Sequence, residues 1–122
     1  MTKPYLFVCV ENSCRSQIAE AFARMIGVEA YSAGSKPSGV VNPKAIASMA
    51  EVGYDLSRHE SSSHVPDCEF EAVIAMGCGD ACPSVRTSRV IEWQIPDPKE
   101  MDASAFARVR DRIREQVVQL IA

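Results

Sequence analysis

The sequence lacks an excess of basic residues and a long apolar run. Its formal net charge is -3 and its pI is near 5.4, which argues against a nucleic acid or an anionic membrane as partner. No apolar run reaches the roughly 18 residues of a membrane span, and the first residues lack the basic segment and apolar core of a signal peptide. We therefore expect a cytoplasmic protein that binds neither nucleic acid nor membrane.

Internal repeats, low-complexity tracts and domain linkers are also absent from the sequence. With 122 residues, 47% of them hydrophobic, the chain is long enough for one compact α/β domain and too short for two. We expect residues 1–122 to form a single domain that acts as a monomer.

The cysteines form an odd set, which in a reducing compartment argues for a nucleophile, a redox role or a metal rather than a disulfide framework. They are Cys9, Cys14, Cys68, Cys78 and Cys82. The C-x4-C and C-x3-C spacings match common zinc sites poorly, even with His59 and His64 in the chain. We expect no metal site.

Apolar patterning predicts strands that alternate with helices. The strands are expected at residues 5–8, 28–33, 70–76 and 89–93. The first helix begins near Arg15 or Ser16 and stops at Gly27, and the second follows the cap Asn42–Pro43. The residues expected to be buried are Ile18, Phe22, Met25 and Ile26 in the first helix, Ile46, Met49 and Ala50 in the second, and Phe106, Val109, Ile113, Val117 and Leu120 in the last. The arginines of the last helix, Arg108, Arg110, Arg112 and Arg114, are expected in solvent.

This alternation favours a parallel sheet with helices on both faces, and ligands of such folds bind beyond the carboxyl ends of the strands. Cys9 stands at that end of the first strand, and a loop then leads into the first helix. Loop N–H groups, the helix dipole and the guanidinium of Arg15 together favour a tetrahedral oxyanion. The residues expected to bind it are Val10, Glu11, Asn12, Ser13, Cys14, Arg15 and Ser16.

The same positive field should stabilise a thiolate at Cys9. A single cysteine after an apolar strand is more often a small buried hydrophobe, but the C-x5-R spacing and the polar loop favour a nucleophile. Cys14 is either a packed thiol or the partner of Cys9 in a protective disulfide. Cys68 has no partner at a useful spacing.

The segment CVENSCRSQIAEAF at residues 9–22 resembles the phosphate-binding loop of the low-molecular-weight protein tyrosine phosphatases and of the arsenate reductases that share their fold. Further matches are SAG at residues 32–34, GYDLS at 53–57, MGCGDACP at 76–83 and PDP at 96–98. The resemblance implies a small three-layer α/β fold, in which helices flank a four-stranded parallel sheet.

Cys78 and Cys82 separate the two activities that the resemblance allows. A phosphatase needs one nucleophilic cysteine because water hydrolyses the phosphocysteine, whereas a reductase must supply two electrons. The similar reductases carry such a cysteine pair, and the phosphatases typically have proline at the position of Gln17. We therefore expect an arsenate reductase for arsenic detoxification. The alternatives are a phosphatase acting on phosphotyrosine or other phosphomonoesters through Cys9, and an oxyanion-binding or redox-sensing regulator without turnover.

The resemblance also implies the roles of the catalytic residues, which are Cys9, Arg15, Cys78, Cys82 and Asp97. Cys9 attacks arsenic while Asp97 protonates the leaving oxygen. Cys78 then attacks Cys9, and arsenite leaves. Cys82 attacks Cys78 in turn, which releases Cys9 and forms a Cys78–Cys82 disulfide.

No tightly bound cofactor is expected, only an external thiol reductant. Thioredoxin suits an exposed dithiol bridge best, and glutathione with glutaredoxin or another small thiol is the alternative. The relay requires Cys78 to move, and Gly77 and Gly79 would supply backbone freedom. We expect residues 77–88 to differ between the reduced and oxidised states.

Glu11 departs from the pattern of the family, which more often has glycine or an uncharged residue there. A carboxylate that points into the loop would repel a dianion, and Glu11→Gly would then raise the affinity for arsenate. A carboxylate that points outward would have little effect.

Overall fold

A computed structural model describes residues 3–77, 85–87 and 89–121 of the chain. Its elements in chain order are β1 (Tyr5–Cys9), α1 (Arg15–Ile26), β2 (Ala30–Gly34), α2 (Pro43–Ala50), a 3-10 turn (Leu56–Arg58), β3 (Glu69–Phe70), β4 (Ala72–Ala75), β5 (Arg86–Thr87), β6 (Val90–Glu92) and α3 (Ala103–Ile121). The predicted helix signals are confirmed. Gly27 ends α1 in the left-handed region at φ 102°, and the Asn42 side chain caps α2 by accepting the N–H of Lys44.

Within the described residues, a parallel sheet of four strands runs in the order β2-β1-β4-β6. This confirms the predicted sheet. Cys9 is the last residue of β1 and pairs in register with Gly34 of β2, while Val8 pairs with Ala75 of β4. The carboxyl ends of these three strands therefore meet at one edge, where the loop after β1 begins.

The predicted strand at 70–76 proved to be two strands in two sheets. β3 pairs with β5 in a separate two-stranded sheet, and β4 belongs to the main sheet. Glu71 lies between them and donates its N–H to the carbonyl of Pro4 at 2.8 Å. Apolar patterning missed the break because it does not specify which neighbour a strand pairs with.

The sheet buries both of its faces, as the unbroken apolar character of β1 predicted. One face, which carries Phe7 and Ile74, packs against α1, α2 and α3. The opposite face, which carries Leu6 and Val73, packs against Phe70 of β3. None of the described α-helices covers this face, so the helices predicted on both faces are found on only one face within the described residues. No helix in the described part of the chain combines the length and hydrophobicity needed to cross a bilayer.

Some predictions about the helix faces were wrong. Met25 and Ile26 are 47% and 45% exposed, because the last turn of α1 extends beyond the packed interface. Ala50 is exposed, and Leu120 is only half-buried.

Arg110 was predicted to lie in solvent but is buried between α3 and α2. Its guanidinium donates to the carbonyl of Ser48 at 2.9 Å and contacts the carboxylates of Glu51 and Asp111 at 3.2 Å and 2.9 Å. These partners compensate the desolvation of the charge. A charge pattern along one helix could not reveal them, because two of them belong to α2 and the residue that follows it.

Candidate active site

The loop between β1 and α1 places Cys9 and Arg15 at the carboxyl edge of the sheet. Cys9 is 3% exposed, and α1 begins at Arg15. Among the described residues, no side chain caps this helix N-terminus; the N-cap residue is Cys14. An uncapped N-terminus leaves backbone N–H groups for an anion.

A cavity of about 180 Å³ opens at this loop. It brings together the predicted nucleophile Cys9, the predicted oxyanion ligand Arg15 and the predicted acid Asp97. Arg15 Nη2 lies 3.9 Å from Asp97 Oδ2. The described residues that line the cavity are Cys9, Val10, Glu11, Ser13, Cys14, Arg15 and Asp97. The other two predicted loop ligands, Asn12 and Ser16, are fully buried behind the cavity wall.

A larger cavity, of about 510 Å³, lies around Glu20, Arg24 and His59. None of the described residues that line it is a cysteine. The smaller cavity is therefore the candidate for thiol chemistry.

A chain of hydrogen bonds holds Cys9 from behind. The hydroxyl of Ser16 lies 2.9 Å from Cys9 Sγ and accepts an N–H from the Asn12 side chain at 2.8 Å. Because Ser16 accepts from Asn12, its own proton is free to be donated to the sulfur. Asn12 also donates to Ser32 at 3.0 Å, and Ser32 donates to the Glu20 carboxylate.

Asn12 organises the turn of the loop. Its φ is 52°, in the left-handed region that asparagine tolerates better than most residues. Its side-chain oxygen accepts the N–H of Ser62 at 2.9 Å, and Gln17 donates to both its backbone and side-chain oxygens at 3.0 Å and 3.1 Å. No buried side-chain N or O atom among the described residues lacks a partner.

Gln17 connects this loop to a histidine that the sequence analysis considered only as a zinc ligand. Gln17 Oε1 lies 2.8 Å from His59 Nδ1, and His59 Nε2 lies 2.7 Å from the hydroxyl of Tyr54. Burial, with a smaller effect of the nearby Arg24 cation, lowers the pKa of His59 from its usual 6.5 to about 4. His59 is therefore neutral at neutral pH, with Nδ1 donating to Gln17 and Nε2 accepting from Tyr54.

Contacts outside the loop hold Arg15 in place. Its Nη1 donates to the carbonyl of Ile95 at 3.1 Å. A Cβ built on Gly77, which has φ 88°, would lie 2.8 Å from the same nitrogen. The missing side chain of Gly77 makes room for Arg15, and its predicted role in the movement of Cys78 stays a prediction.

Glu11 faces the cavity with its charge paired. Its Oε2 accepts a hydrogen bond from Lys99 Nζ at 2.7 Å. That hydrogen bond lowers the pKa of Glu11 and raises the pKa of Lys99. The two predicted cases were a carboxylate that points into the loop and one that points outward. The structure combines features of both, because the carboxylate lines the cavity while the Lys99 ammonium neutralises its charge. Lys99 is 88 positions away in the chain, so no local sequence pattern pointed to it.

The other cysteines differ in their surroundings. Burial raises the pKa of the Cys14 thiol to about 11, so Cys14 stays protonated at neutral pH, which agrees with a packed thiol. Cys68 is half-buried against the sheet face opposite the helices. Cys78 and Cys82 lie outside the described residues, as does most of the segment 77–88 that we expect to change with redox state.

A parallel α/β sheet with a Cys-x5-Arg loop between its first strand and helix defines a class of small thiol enzymes that act on tetrahedral oxyanions. Within this class, the chain belongs to the family described as low molecular weight phosphotyrosine protein phosphatase, whose family model matches residues 5–122.

The relatives of the chain include arsenate reductases. It is 38% identical to the glutaredoxin arsenate reductase of Synechocystis sp., over 98% of this chain and 97% of that protein. A solved structure described as an arsenate reductase in the phosphate binding state has a TM-score of 0.87 and 38% identity, covering 98% of this chain and 97% of that one. The thioredoxin-dependent arsenate reductase of Corynebacterium glutamicum has a TM-score of 0.74 and 31% identity, covering 99% of this chain and 64% of that one.

Proposed function

We propose that this protein is an arsenate reductase, which converts arsenate to arsenite through Cys9 and a thiol-disulfide relay of Cys78 and Cys82. The observation that carries the proposal is the 180 Å³ cavity that holds a thiol, a guanidinium and a carboxyl group together. The similarity to arsenate reductases over nearly the whole chain supports it.

The first step forms a bond between sulfur and arsenic. Arsenate binds at the N-terminus of α1, where the guanidinium of Arg15 offers two donors to two of its oxygens. The Cys9 thiolate attacks arsenic, and Asp97 donates a proton to the oxygen that leaves as water. The hydroxyl of Ser16, 2.9 Å from Cys9 Sγ, stabilises the thiolate by donating its proton.

The second step moves two electrons to arsenic. The Cys78 thiolate attacks Cys9 Sγ, and the electron pair of the sulfur–arsenic bond stays with arsenic, which leaves as arsenite. A Cys9–Cys78 disulfide remains. Gly77 lies against Arg15, and Cys78 is the next residue in the sequence, which supports this role for Cys78.

The last step regenerates the thiolate of Cys9. Cys82 attacks Cys78, which breaks the bond to Cys9 and forms a Cys78–Cys82 disulfide. Residues four apart can approach within the Cα distance of a disulfide in one helical turn. An external dithiol then reduces this bond in a thiol-disulfide exchange.

The reductant is an external thiol, and we propose thioredoxin in a reducing cytoplasm. The relatives use both kinds of partner, since one is named a glutaredoxin arsenate reductase and another a thioredoxin-dependent one. An accessible dithiol bridge within one chain is the type of substrate that a thioredoxin dithiol reduces.

Arsenate-dependent oxidation of NADPH, with thioredoxin and thioredoxin reductase present, tests the proposal. We expect sustained oxidation that is lost in Cys9→Ser, Cys78→Ala and Cys82→Ala. Cys68→Ala, which removes a thiol on the other face of the sheet, is the matched control and should keep the wild-type rate. The same assay with glutaredoxin and glutathione in place of thioredoxin shows which reductant supports the faster oxidation.

Hydrolysis of para-nitrophenyl phosphate, measured on the same preparations, tests whether the protein is a phosphatase instead. Phosphate release that is unaffected by Cys78→Ala and Cys82→Ala, without any NADPH oxidation, would make the protein a phosphatase.

A further inference from the structure

An ion pair joins the two segments that line the candidate cavity. Glu11 belongs to the loop after Cys9, and Lys99 follows Asp97 by two residues. Lys99 Nζ lies 2.7 Å from Glu11 Oε2, and the two side chains are 39% and 36% exposed. The pair therefore sits at the rim and joins the segment of the predicted nucleophile to the segment of the predicted acid.

The backbone on the Glu11 side is fixed independently of this pair. The carbonyl of Glu11 accepts hydrogen bonds from the hydroxyl of Ser61 at 2.8 Å and from the N–H of Ser38 at 3.1 Å. The backbone that carries the carboxylate therefore stays in place even if Lys99 is removed.

The backbone on the Lys99 side is fixed as well. The N–H of Lys99 donates to Asp97 Oδ1 at 3.1 Å, and its carbonyl accepts Lys44 Nζ at 2.9 Å. Loss of the Lys99 ammonium therefore changes the charge at the rim and leaves the path of the segment in place.

The charges that line the cavity explain why such a cation is needed. Among its described lining residues, Arg15 carries a positive charge while Glu11 and Asp97 carry carboxyl groups. A dianion that enters would meet an excess of negative charge whenever both carboxyl groups are ionised. The Lys99 ammonium is at the edge of the cavity and cancels the charge of Glu11.

We propose that Lys99 sets the affinity of this cavity for oxyanion dianions by neutralising Glu11, so that the pair determines how tightly substrate binds. The inference rests on the proposed function only in that the cavity binds an oxyanion. It assigns Lys99 an electrostatic role, and it makes Glu11 the residue through which Lys99 acts.

Inorganic phosphate is the probe, with its dissociation constant measured by calorimetry on the full chain at low ionic strength. A unit charge at an exposed rim changes the affinity for a dianion by about fivefold to tenfold. We expect Lys99→Met to weaken phosphate binding by about that factor and Glu11→Gln to tighten it by a similar factor. The double variant should return close to the wild-type constant, and the differences should shrink as salt is added.

The pair formed by Lys3 and Glu69 provides the matched control. It joins residues at the amino end of the strands, at the edge of the sheet opposite the cavity. Lys3→Met and Glu69→Gln make the same charge changes and should leave the phosphate dissociation constant unchanged. Lys99→Arg, which keeps the cation, should bind phosphate like the wild type.

Equal phosphate affinity in wild type, Lys99→Met and Glu11→Gln would overturn the inference and leave the proposed function standing. The same effect in the Lys3 and Glu69 variants would also overturn it, because net charge alone would then explain the result. Absence of phosphate and arsenate binding in the wild type would overturn the proposed function and this inference together.

Discussion

At the scale of single residues, Gly77 shows how closely the site is built around Arg15. Its φ of 88° lies in the left-handed region, and an added Cβ would meet Arg15 Nη1 at 2.8 Å. The atom that must give way is the far end of a flexible side chain. A substitution here should therefore move the guanidinium more than it disturbs the fold.

Gly77→Ala should weaken phosphate binding by about tenfold to a hundredfold, because a hydrogen bond to a charged group contributes about 1.5–3 kcal/mol and Arg15 would be displaced from its position. The left-handed backbone should also cost about 1 kcal/mol of unfolding free energy. Calorimetry with phosphate and urea unfolding measure the two effects.

Gly53→Ala is the control for the backbone effect. Gly53 has the same φ of 88°, and a Cβ there meets nothing within 4 Å. It should lose a similar stability and keep the phosphate affinity. If both variants bind phosphate equally well, Gly77 has no role in positioning Arg15.

At the scale of elements, α1 and the turn around residues 54–59 are tied together through His59. The ring is neutral in the folded protein because burial lowers its pKa to about 4. The groups that face it are the hydroxyl of Tyr54, the carboxylate of Glu20 at 3.7 Å and the side chain of Gln17. Arg24 opposes protonation, and Asp55 weakly favours it.

This contact predicts a loss of stability in acid. The unfolded chain binds the proton of His59 more tightly than the folded chain, so the free energy of unfolding falls as pH drops from 6.5 towards 4. Protonation of His59 lowers the free energy of unfolding by up to about 3 kcal/mol between pH 6.5 and pH 4. Above pH 6.5 the ring is neutral in both the folded and the unfolded chain, so His59 should cause no loss of stability there.

Urea unfolding of the wild type and of His59→Gln at pH 7 and pH 4 checks this prediction. The variant, which has no titrating ring, should be less stable at pH 7 and should lose less stability between the two pH values. Burial raises the pKa of Glu20, which acts in the opposite direction and is present in both proteins. Parallel pH profiles for the two proteins would contradict a neutral, buried His59.

The elements also show what local sequence could predict. Gly27 and Asn42 marked a helix end and a helix start correctly, because each cap is a local interaction. The break at Glu71 was missed because it depends on pairing with β5, and the burial of Arg110 was missed because its partners include residues of another helix.

At the scale of the whole molecule, the sequence predicted the parallel sheet and the joint position of Cys9, Arg15 and Asp97 at one cavity. Cys9 and Arg15 flank one strand-to-helix loop, so a local pattern could predict that they lie close together. Asp97 was identified through the family resemblance. The pairs Gln17–His59 and Glu11–Lys99 were not predicted, because they join positions 42 and 88 residues apart. Such contacts arise only when the chain is folded.

In the proposed reaction, Cys9 and Cys78 together transfer two electrons to arsenate. The most direct test gives reduced Cys82→Ala an excess of arsenate under anaerobic conditions without external reductant, then quantifies arsenite and maps disulfides by mass spectrometry. We expect about one arsenite per chain and a trapped Cys9–Cys78 disulfide. The wild type should form the same amount of arsenite and end with a Cys78–Cys82 disulfide. Absence of arsenite, with Cys9 and Cys78 still reduced, would rule out electron transfer from these two thiols.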